Sequence, residues 1–308
     1  MQRILTIFLL LITGSLAPAV AVDAPRVMVG IAPIHSLVAG VMDGVAEPEL
    51  LVKGNHSPHG YMLKPSQLRS LQQADMIVWT GESIESFLPR VLVNLDDNKS
   101  IIKLMDVAGM TLLPAREGGV WQSGHEEHAH GDSDGHLWLD PGNAKIIVTL
   151  LVERLSRMDA QHAVTYRANG VRMQQALTEL DQQLKQKLVK VKHIPYLVFH
   201  DAYQYFEHAY GLNPVGAVMI DPDHKPGARR LTELRENVRA SNIRCVFSEP
   251  QYSENLVKVV TEGTAMHSAR LDPMGMSLEP GKELYFDLLT GLGDSLLGCL
   301  ETGFDHDQ

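Results

Sequence analysis

Short apolar runs alternate with stretches of helical periodicity over most of the chain. In the first half, Arg26–Ile31, Glu49–Val52 and Asp75–Trp79 are short and apolar, as is typical of strands buried on both faces. Between them, Ile34–Met42 and Pro65–Gln73 have apolar residues at intervals of three and four, which favours amphipathic helices. Such alternation predicts an α/β domain with a mostly parallel sheet.

The same alternation returns after residue 195. The pattern predicts strands over Tyr196–His200, Pro214–Met219, Arg244–Ser248 and Ala269–Asp272, and helices over Arg229–Ala240, Glu254–His267 and Lys282–Leu300. This half is therefore interpreted as a second α/β lobe of similar size. The predicted fold is two Rossmann-like lobes with mostly parallel sheets.

Helical periodicity dominates the segment between the two halves. Asp140 followed by Pro141 is a good start for a helix that runs to about Met158, because Asp caps and proline suits the first turn. The next stretch, 160–193, contains no proline and repeats leucine at three and four. As one helix it would be about 50 Å long. We interpret it as a rigid linker helix between the lobes.

The N-terminus has the features of a secretory signal peptide. A positive start, Met1–Arg3, precedes the apolar run Ile4–Ile12, and small residues lie at the spacing of a cleavage site up to Ala21. The predicted organisation is a signal peptide over 1–21, a first lobe over 22–159, the linker helix over 160–193 and a second lobe over 194–308. No other stretch is long and apolar enough for membrane insertion. A soluble protein outside the cytoplasm is expected, in the periplasm if the source is Gram-negative.

Charge and cysteine content narrow the possibilities. The net charge is -10 with histidine counted as neutral, which argues against nucleic acid or an anionic membrane as partner. The two cysteines, Cys245 and Cys299, lie in the exported part. An even count in an oxidising compartment favours one disulfide, worth about 3–4 kcal/mol on the chain-entropy model. Two buried free thiols are the alternative.

Three widely separated histidines are candidate metal ligands. His59 lies in a polar turn, His136 follows a loop, and His200 ends a predicted strand. Neutral imidazole is a common metal ligand and suits zinc, and ligands of open α/β sheets lie at the carboxyl ends of strands. Each histidine alone is more often structural or solvated. Together they predict a zinc site in the cleft between the lobes, a usual place for a ligand.

The fourth ligand is left open by the sequence. A three-histidine zinc site leaves one position for a carboxylate or water. Asp272, at the end of a predicted strand, is the tentative fourth ligand. A capping role at a helix start is its alternative. His56, three residues before His59, is a further option, although a solvated loop histidine is the simpler interpretation.

A loop rich in glycine, histidine and acidic residues precedes His136. We expect this segment, 117–135, to be flexible. His125, His128 and His130, with neighbouring acidic side chains, are expected to bind metal weakly, because closing a flexible loop around an ion costs conformational entropy. An acidic, solvated linker without a role is the alternative.

Several motifs together resemble the periplasmic zinc-binding proteins of ABC-type zinc uptake systems. They are Ser57–Tyr61 with Lys64–Ser66, His136–Pro141, Phe199–Ala202 and Leu271–Gly275. The resemblance covers essentially the whole mature chain. It implies two α/β lobes joined by a long helix, Zn²⁺ as transported ligand, and an ABC permease with its ATPase as partners of a monomeric protein. It also implies His59, His136 and His200 as ligands, and paired Cys245 and Cys299.

One position departs from that pattern. Some zinc-binding members carry glutamate directly before the first ligand histidine, where this chain has Pro58. The fourth ligand is then water or Asp272, which matches a carboxylate used by manganese-binding relatives. Three imidazoles favour zinc, because oxygen ligands suit manganese better.

Two other functions compete with a zinc carrier. A manganese carrier or a metal-dependent adhesin is the first. A zinc hydrolase is the second, and it requires a general base beside an open metal position. The chain lacks the His-Glu-x-x-His pattern, and His125–His128 has a spacing one residue too short. The sequence therefore predicts a binding protein and not an enzyme.

Overall fold

A computed structural model describes residues 23–54, 56–116, 133–219, 227, 232, 234–236 and 243–302. Three predictions lie outside these residues: the signal peptide, the loop histidines His125, His128 and His130, and most of the helix predicted over 229–240. Among the helices that the structure describes, none combines the length and apolar character needed to cross a membrane.

The first lobe is a parallel four-stranded sheet with strand order β2-β1-β3-β4. Its elements are β1 Val27–Val29, α1 Ala32–Met42, β2 Glu49–Leu50, α2 Pro65–Gln73, β3 Met76–Trp79, α3 Pro89–Leu92 and β4 Ser100–Lys103. The parallel sheet confirms the prediction, but β4 and α3 were not predicted. Strand β4 is the sheet edge and only Ile102 in it is buried, so its sequence lacks a continuous apolar run.

The second lobe repeats this architecture with strand order β6-β5-β7-β8, again parallel. Its elements are β5 Tyr196–His200, α6 Gln204–Tyr210, β6 Pro214–Met219, β7 Cys245–Ser248, α7 Asn255–Thr261, β8 His267–Arg270 and α8 Leu284–Glu301. The helix predicted over Glu254–His267 was too long, because Gly263 has a φ of 73° and such a left-handed glycine ends helices. His267 begins β8 instead.

Two helices connect the lobes. Helix α4, Pro141–Met158, has the predicted bounds, and the Asp140 carboxylate accepts a hydrogen bond from the Gly142 amide at 2.7 Å. Helix α5, Ala163–Leu188, has 26 residues and is about 39 Å long, shorter than the segment predicted. A side chain at Gly170 would approach Val152 to 2.4 Å, so glycine permits the close packing of α5 on α4.

One apolar core runs through both lobes. It includes Val29 and Leu37 of the first lobe, Leu177 of α5, and Val198 and Leu289 of the second lobe, all buried. Helix α5 contacts α1 of the first lobe, α4, and α8 of the second lobe. The two sheets are therefore held in a fixed relation by shared packing.

The predicted disulfide is confirmed. Cys245 in β7 and Cys299 in α8 are bonded, with a sequence separation of 54. The bond ties the last helix to an inner strand of the second sheet. Closing a loop of this length stabilises the fold by about 4 kcal/mol on the chain-entropy model.

A buried carboxyl group, that of Glu85, lies at the carboxyl end of the first sheet. Its Oε2 accepts hydrogen bonds from the amides of Thr80 at 3.0 Å and Gly81 at 3.3 Å. Its Oε1 has no hydrogen-bond partner and packs where a side chain on residue 30 would have to be. Burial raises the pKa of Glu85 from about 4.5 to about 8, against the amide hydrogen bonds that lower it.

We expect Glu85→Gln to remove a pH dependence of stability. Folded Glu85 keeps its proton up to about pH 8, whereas the unfolded chain loses it near pH 4.3. The free energy of unfolding therefore falls as pH rises through this window, by about 3 kcal/mol between pH 5 and 7.5. Urea denaturation of metal-free wild type and variant at several pH values measures the difference. Glu283→Gln, at an exposed glutamate, is the control, and parallel curves for wild type and Glu85→Gln would contradict the expectation.

Candidate metal centre

Three histidines predicted as ligands lie together between the lobes. One ring nitrogen from each of His59, His136 and His200 lies within 4.8 Å of the others. The ring centroids are 5.4 Å apart for His136 and His200, and 5.6 and 6.1 Å from His59 to each of them. Tetrahedral zinc holds its nitrogen ligands about 3.4 Å apart. The spacing fits one zinc ion after small side-chain movements.

Each histidine is positioned by a different element. His200 is the last residue of β5, an inner strand, and His136 precedes a 3₁₀ helix, Leu137–Leu139, that leads into α4. Both are buried, at 4% and 7% exposure. His59 lies in the loop between β2 and α2 and is half-buried. The Ser86 hydroxyl donates to its carbonyl at 3.1 Å.

Two buried carboxylates orient the buried rings. Asp134 Oδ1 accepts from His136 Nδ1 at 2.7 Å and from its amide at 3.0 Å. Glu249 Oε1 accepts from His200 Nδ1 at 2.7 Å and from the His200 amide at 3.4 Å. A carboxylate on Nδ1 fixes the proton there and leaves Nε2 for a metal. The Nε2 of His200 is buried and has no hydrogen-bond partner, so its lone pair is available to a metal ion.

The electrostatic potential that nearby carboxylates produce at His200 favours positive charge. Burial alone lowers the pKa of His200, but the charges of Glu249, Asp201 and Asp134 and the hydrogen bond from Glu249 raise it, and the net shift is upward. A nearby negative charge stabilises any cation in the same way. The surroundings of the histidines therefore suit a metal ion as well as a proton.

An ion-pair network adjoins the site. The guanidinium of Arg116 pairs with Asp201 and, at 2.6 Å, with Glu207. Burial raises the pKa of Glu207 to about 7, although Arg116 lowers it. Asp201 directly follows His200, and its carboxylate pairs with Arg116, whereas the next helix, α6, begins at Gln204.

The residues next to the histidine-rich loop are tied to the second lobe. The Tyr205 hydroxyl accepts from the Leu113 amide at 3.0 Å and donates to the Asp134 carbonyl at 2.7 Å. Ser133 forms an antiparallel bridge with Pro114. These contacts hold Ser133 and Asp134, at the end of the segment predicted to be flexible, whereas residues 117–132 lie outside the described residues and their flexibility stays a prediction.

Asp272 and His56 lie outside the histidine group. The Asp272 carboxylate accepts from the amides of Met274 at 3.1 Å, Gly275 at 2.9 Å and Ser277 at 3.3 Å. These amides lie in a turn, and the next helix, α8, begins only at Leu284, so Asp272 does not cap a helix start. His56 is exposed and its ring lies 5.8 Å from that of Tyr61. The assignment of Asp272 as fourth ligand stays a prediction, as does water.

Sequence reasoning missed the role of Asp134 and Glu249. Asp134 was counted among the acidic residues of the loop, although it lies two residues before His136. Glu249 directly follows a buried strand, β7, which is a position where functional side chains collect. That position was the available signal for Glu249.

Comparison with known proteins identifies the family. Residues 27–299 match the family model ZnuA, described as zinc-uptake complex component A, periplasmic. The chain is 35% identical to the high-affinity zinc uptake system protein ZnuA of Brucella abortus, covering 94% of this chain and 96% of that protein.

Solved structures share the fold. A crystal structure of ZnuA has a TM-score of 0.77 at 24% identity, covering 91% of this chain and all of that one. The laminin-binding protein of Streptococcus agalactiae, described as bifunctional with adhesin and metal-transporting activity, has a TM-score of 0.75 at 18% identity, covering 90% of this chain and all of that one. With the family model matched over most of its length, this chain belongs to the ZnuA family of periplasmic zinc-uptake components.

Proposed function

We propose that this protein is a soluble periplasmic binding protein that captures Zn²⁺ with high affinity and delivers it to an ABC permease. One observation carries the proposal: ring nitrogens of His59, His136 and His200 converge within 4.8 Å, with Nδ1 of two rings held by carboxylates. Imidazoles with such outer partners are typical zinc ligands. The Brucella relative named for zinc uptake supports the choice of ion.

The arrangement of histidines and carboxylates suits binding of a metal ion better than catalysis of hydrolysis. A zinc hydrolase needs a general base beside a metal-bound water. The carboxylates next to the histidines, Asp134 and Glu249, accept hydrogen bonds from the ligand rings themselves. They are therefore engaged in orienting ligands, which supports a non-enzymatic role.

Manganese transport and adhesion are the remaining alternatives. Manganese prefers oxygen ligands, whereas three imidazoles favour zinc. The streptococcal structure described as an adhesin shares the fold at 18% identity, and a likeness at this level of identity does not indicate a shared function.

We infer an ABC permease and its ATPase as partners of a monomer. The family description and the signal-like residues 1–21 support the periplasmic location.

Titration of the metal-free mature protein tests the proposed function. Calorimetry with Zn²⁺ and Mn²⁺, followed by chelator competition, should show one tight zinc equivalent and manganese binding at least about 100-fold weaker. Equal or tighter manganese binding would overturn the choice of zinc. Turnover of ester, phosphate or peptide substrates that requires zinc would favour the hydrolase. Stimulation of the ATPase activity of the reconstituted transporter tests delivery.

The histidine-rich loop gives a separate prediction. One or more weak zinc equivalents are expected beside the tight one, from His125, His128 and His130, because a loop of this predicted flexibility would lose entropy on closing round an ion. Deleting Gly124–Gly131 should remove the weak equivalents and leave the tight site nearly intact. The deletion stops before Asp134, because that carboxylate holds His136. A Gly/Ser replacement of equal length is the control, and unchanged stoichiometry in calorimetry would contradict the prediction.

A further inference from the structure

Two buried carboxylates lie behind the histidine group, and none of the lysines and arginines that the structure describes pairs with them. Asp134 is 7% and Glu249 1% exposed. Among the ion pairs of the described residues, each pairs only with a histidine, Asp134 with His136 and Glu249 with His200. Arg116, the cation of the adjoining network, pairs with two other carboxylates. Burying an ionised carboxylate without a cation is costly, so this pair of charges is balanced only when a cation binds beside it.

The carboxylates of Asp134 and Glu249 together carry two negative charges, which a divalent ion cancels. Three neutral imidazoles contribute nothing, and the carboxylates of Asp134 and Glu249 contribute one negative charge each. A dication at the histidine group brings this sum to zero, whereas a monocation leaves one negative charge. Coulomb attraction is proportional to the charge of the ion. The two carboxylates therefore stabilise a dication twice as strongly as a monocation at the same place.

We propose that Asp134 and Glu249 determine the charge selectivity of the site, favouring Zn²⁺ over soft monovalent cations such as Ag⁺ and Cu⁺. The inference rests on the proposed function and adds the physical basis of ion discrimination to it. Histidine ligands alone do not supply this discrimination, because a neutral imidazole carries no net charge that would distinguish a dication from a monocation. The carboxylates act through the ligands and are positioning and selectivity residues.

Amide substitutions separate charge from position. Glu249→Gln and Asp134→Asn keep an oxygen that accepts from Nδ1 and have the shape of the original side chain, but they remove the negative charge. If the carboxylates only orient the rings, these variants retain the wild-type preference between ions. If their charge selects the ion, zinc binding weakens more than silver binding.

The expected losses of Zn²⁺ and Ag⁺ affinity follow from the proportionality between Coulomb attraction and the charge of the ion. Mutation of an outer partner typically weakens metal binding by about 10–100-fold, and we expect a loss of this size for Zn²⁺ in Glu249→Gln, because the negative charge is removed. The loss for Ag⁺ is the square root of that factor, about 3–10-fold, because its charge is half as large. The ratio of zinc to silver affinity should then fall by about 3–10-fold in each single variant and about 10–100-fold in the double variant.

The experiment measures Zn²⁺ and Ag⁺ affinities by competition in chloride-free buffer at pH 7.5. It uses full mature wild type, both single variants and the double variant. Glu254→Gln, an exposed glutamate of the second lobe, is the control and should change neither affinity. Because Asp134 and Glu249 lie in different segments, each single variant is an independent test if the other does not fold by circular dichroism.

The possible outcomes separate this inference from the proposed function. A fall of the zinc-to-silver ratio in the folded variants supports charge selectivity. Equal weakening of both ions, or an unchanged ratio in the double variant, overturns it and leaves only an orienting role. Wild type that binds no zinc overturns the proposed function itself.

Discussion

Zinc binding is expected to weaken by roughly 100–1,000-fold when His200 is replaced by alanine. Structural zinc sites bind with about 10–16 kcal/mol, or roughly 2.5–4 kcal/mol for each of four ligands. His200 is buried, and its Nε2 has no other partner. Alanine therefore removes a preformed ligand and leaves Glu249 without its histidine. His59→Ala and His136→Ala are expected to have losses of the same order.

Competition with a zinc chelator of known affinity measures this loss. His267→Ala is the matched control, because that histidine is exposed and lies in β8 of the same lobe. Urea denaturation of the metal-free proteins shows whether the variant is folded. Wild-type zinc affinity in folded His200→Ala would show that this histidine is not a ligand.

Acidification from pH 7.5 to pH 5 is expected to weaken zinc binding by roughly 30,000-fold, from a factor of about 30 for each of three imidazoles. Histidine ligands must be neutral, and their ordinary pKa is about 6.5. The pKa of His200 is raised: burial lowers it, but Glu249 and the neighbouring acids outweigh burial. A raised pKa means that the proton is held to a higher pH, so competition with zinc begins earlier as pH falls.

Calorimetry across a pH series tests this dependence, with buffers corrected for their own zinc and proton binding. Circular dichroism at pH 5 must show folded protein, since loss of the fold would also remove binding. An affinity that stays constant to pH 5 would indicate a carboxylate-dominated site. In that case Asp272 would become the first residue to test as a ligand.

The sequence predicts elements well where burial is uniform. The bounds of β5, Tyr196–His200, match the prediction, because an inner parallel strand is apolar on both faces. Helix α4 also matches, since Asp140 and Pro141 mark its start. Edge strands lack this signal: Arg270 of β8 is exposed, and the predicted strand was displaced by two residues toward Asp272.

The candidate site shows a different limit of prediction from the sequence. His59, His136 and His200 can be singled out in the sequence by their positions at a turn, a loop end and a strand end, and the structure brings them together. Acidic side chains are common on surfaces, so Asp134 and Glu249 resemble solvated residues until the strand order is known. Glu249 reaches His200 because β5 and β7 are neighbours, and this pairing joins residues far apart in the chain.

The shared core of the two lobes has a consequence for the order of events during zinc release. The Tyr285 hydroxyl donates to the Trp138 carbonyl at 2.8 Å, and Trp138 Nε1 donates to the Pro273 carbonyl at 2.9 Å. These bonds join the segment that carries His136 to the second lobe. His136 and His200 thus belong to one framework, whereas His59 lies on a half-buried loop. If these histidines hold zinc as proposed, we expect His59 to be the first ligand to leave, so that release begins with the movement of one loop while the two lobes stay in place.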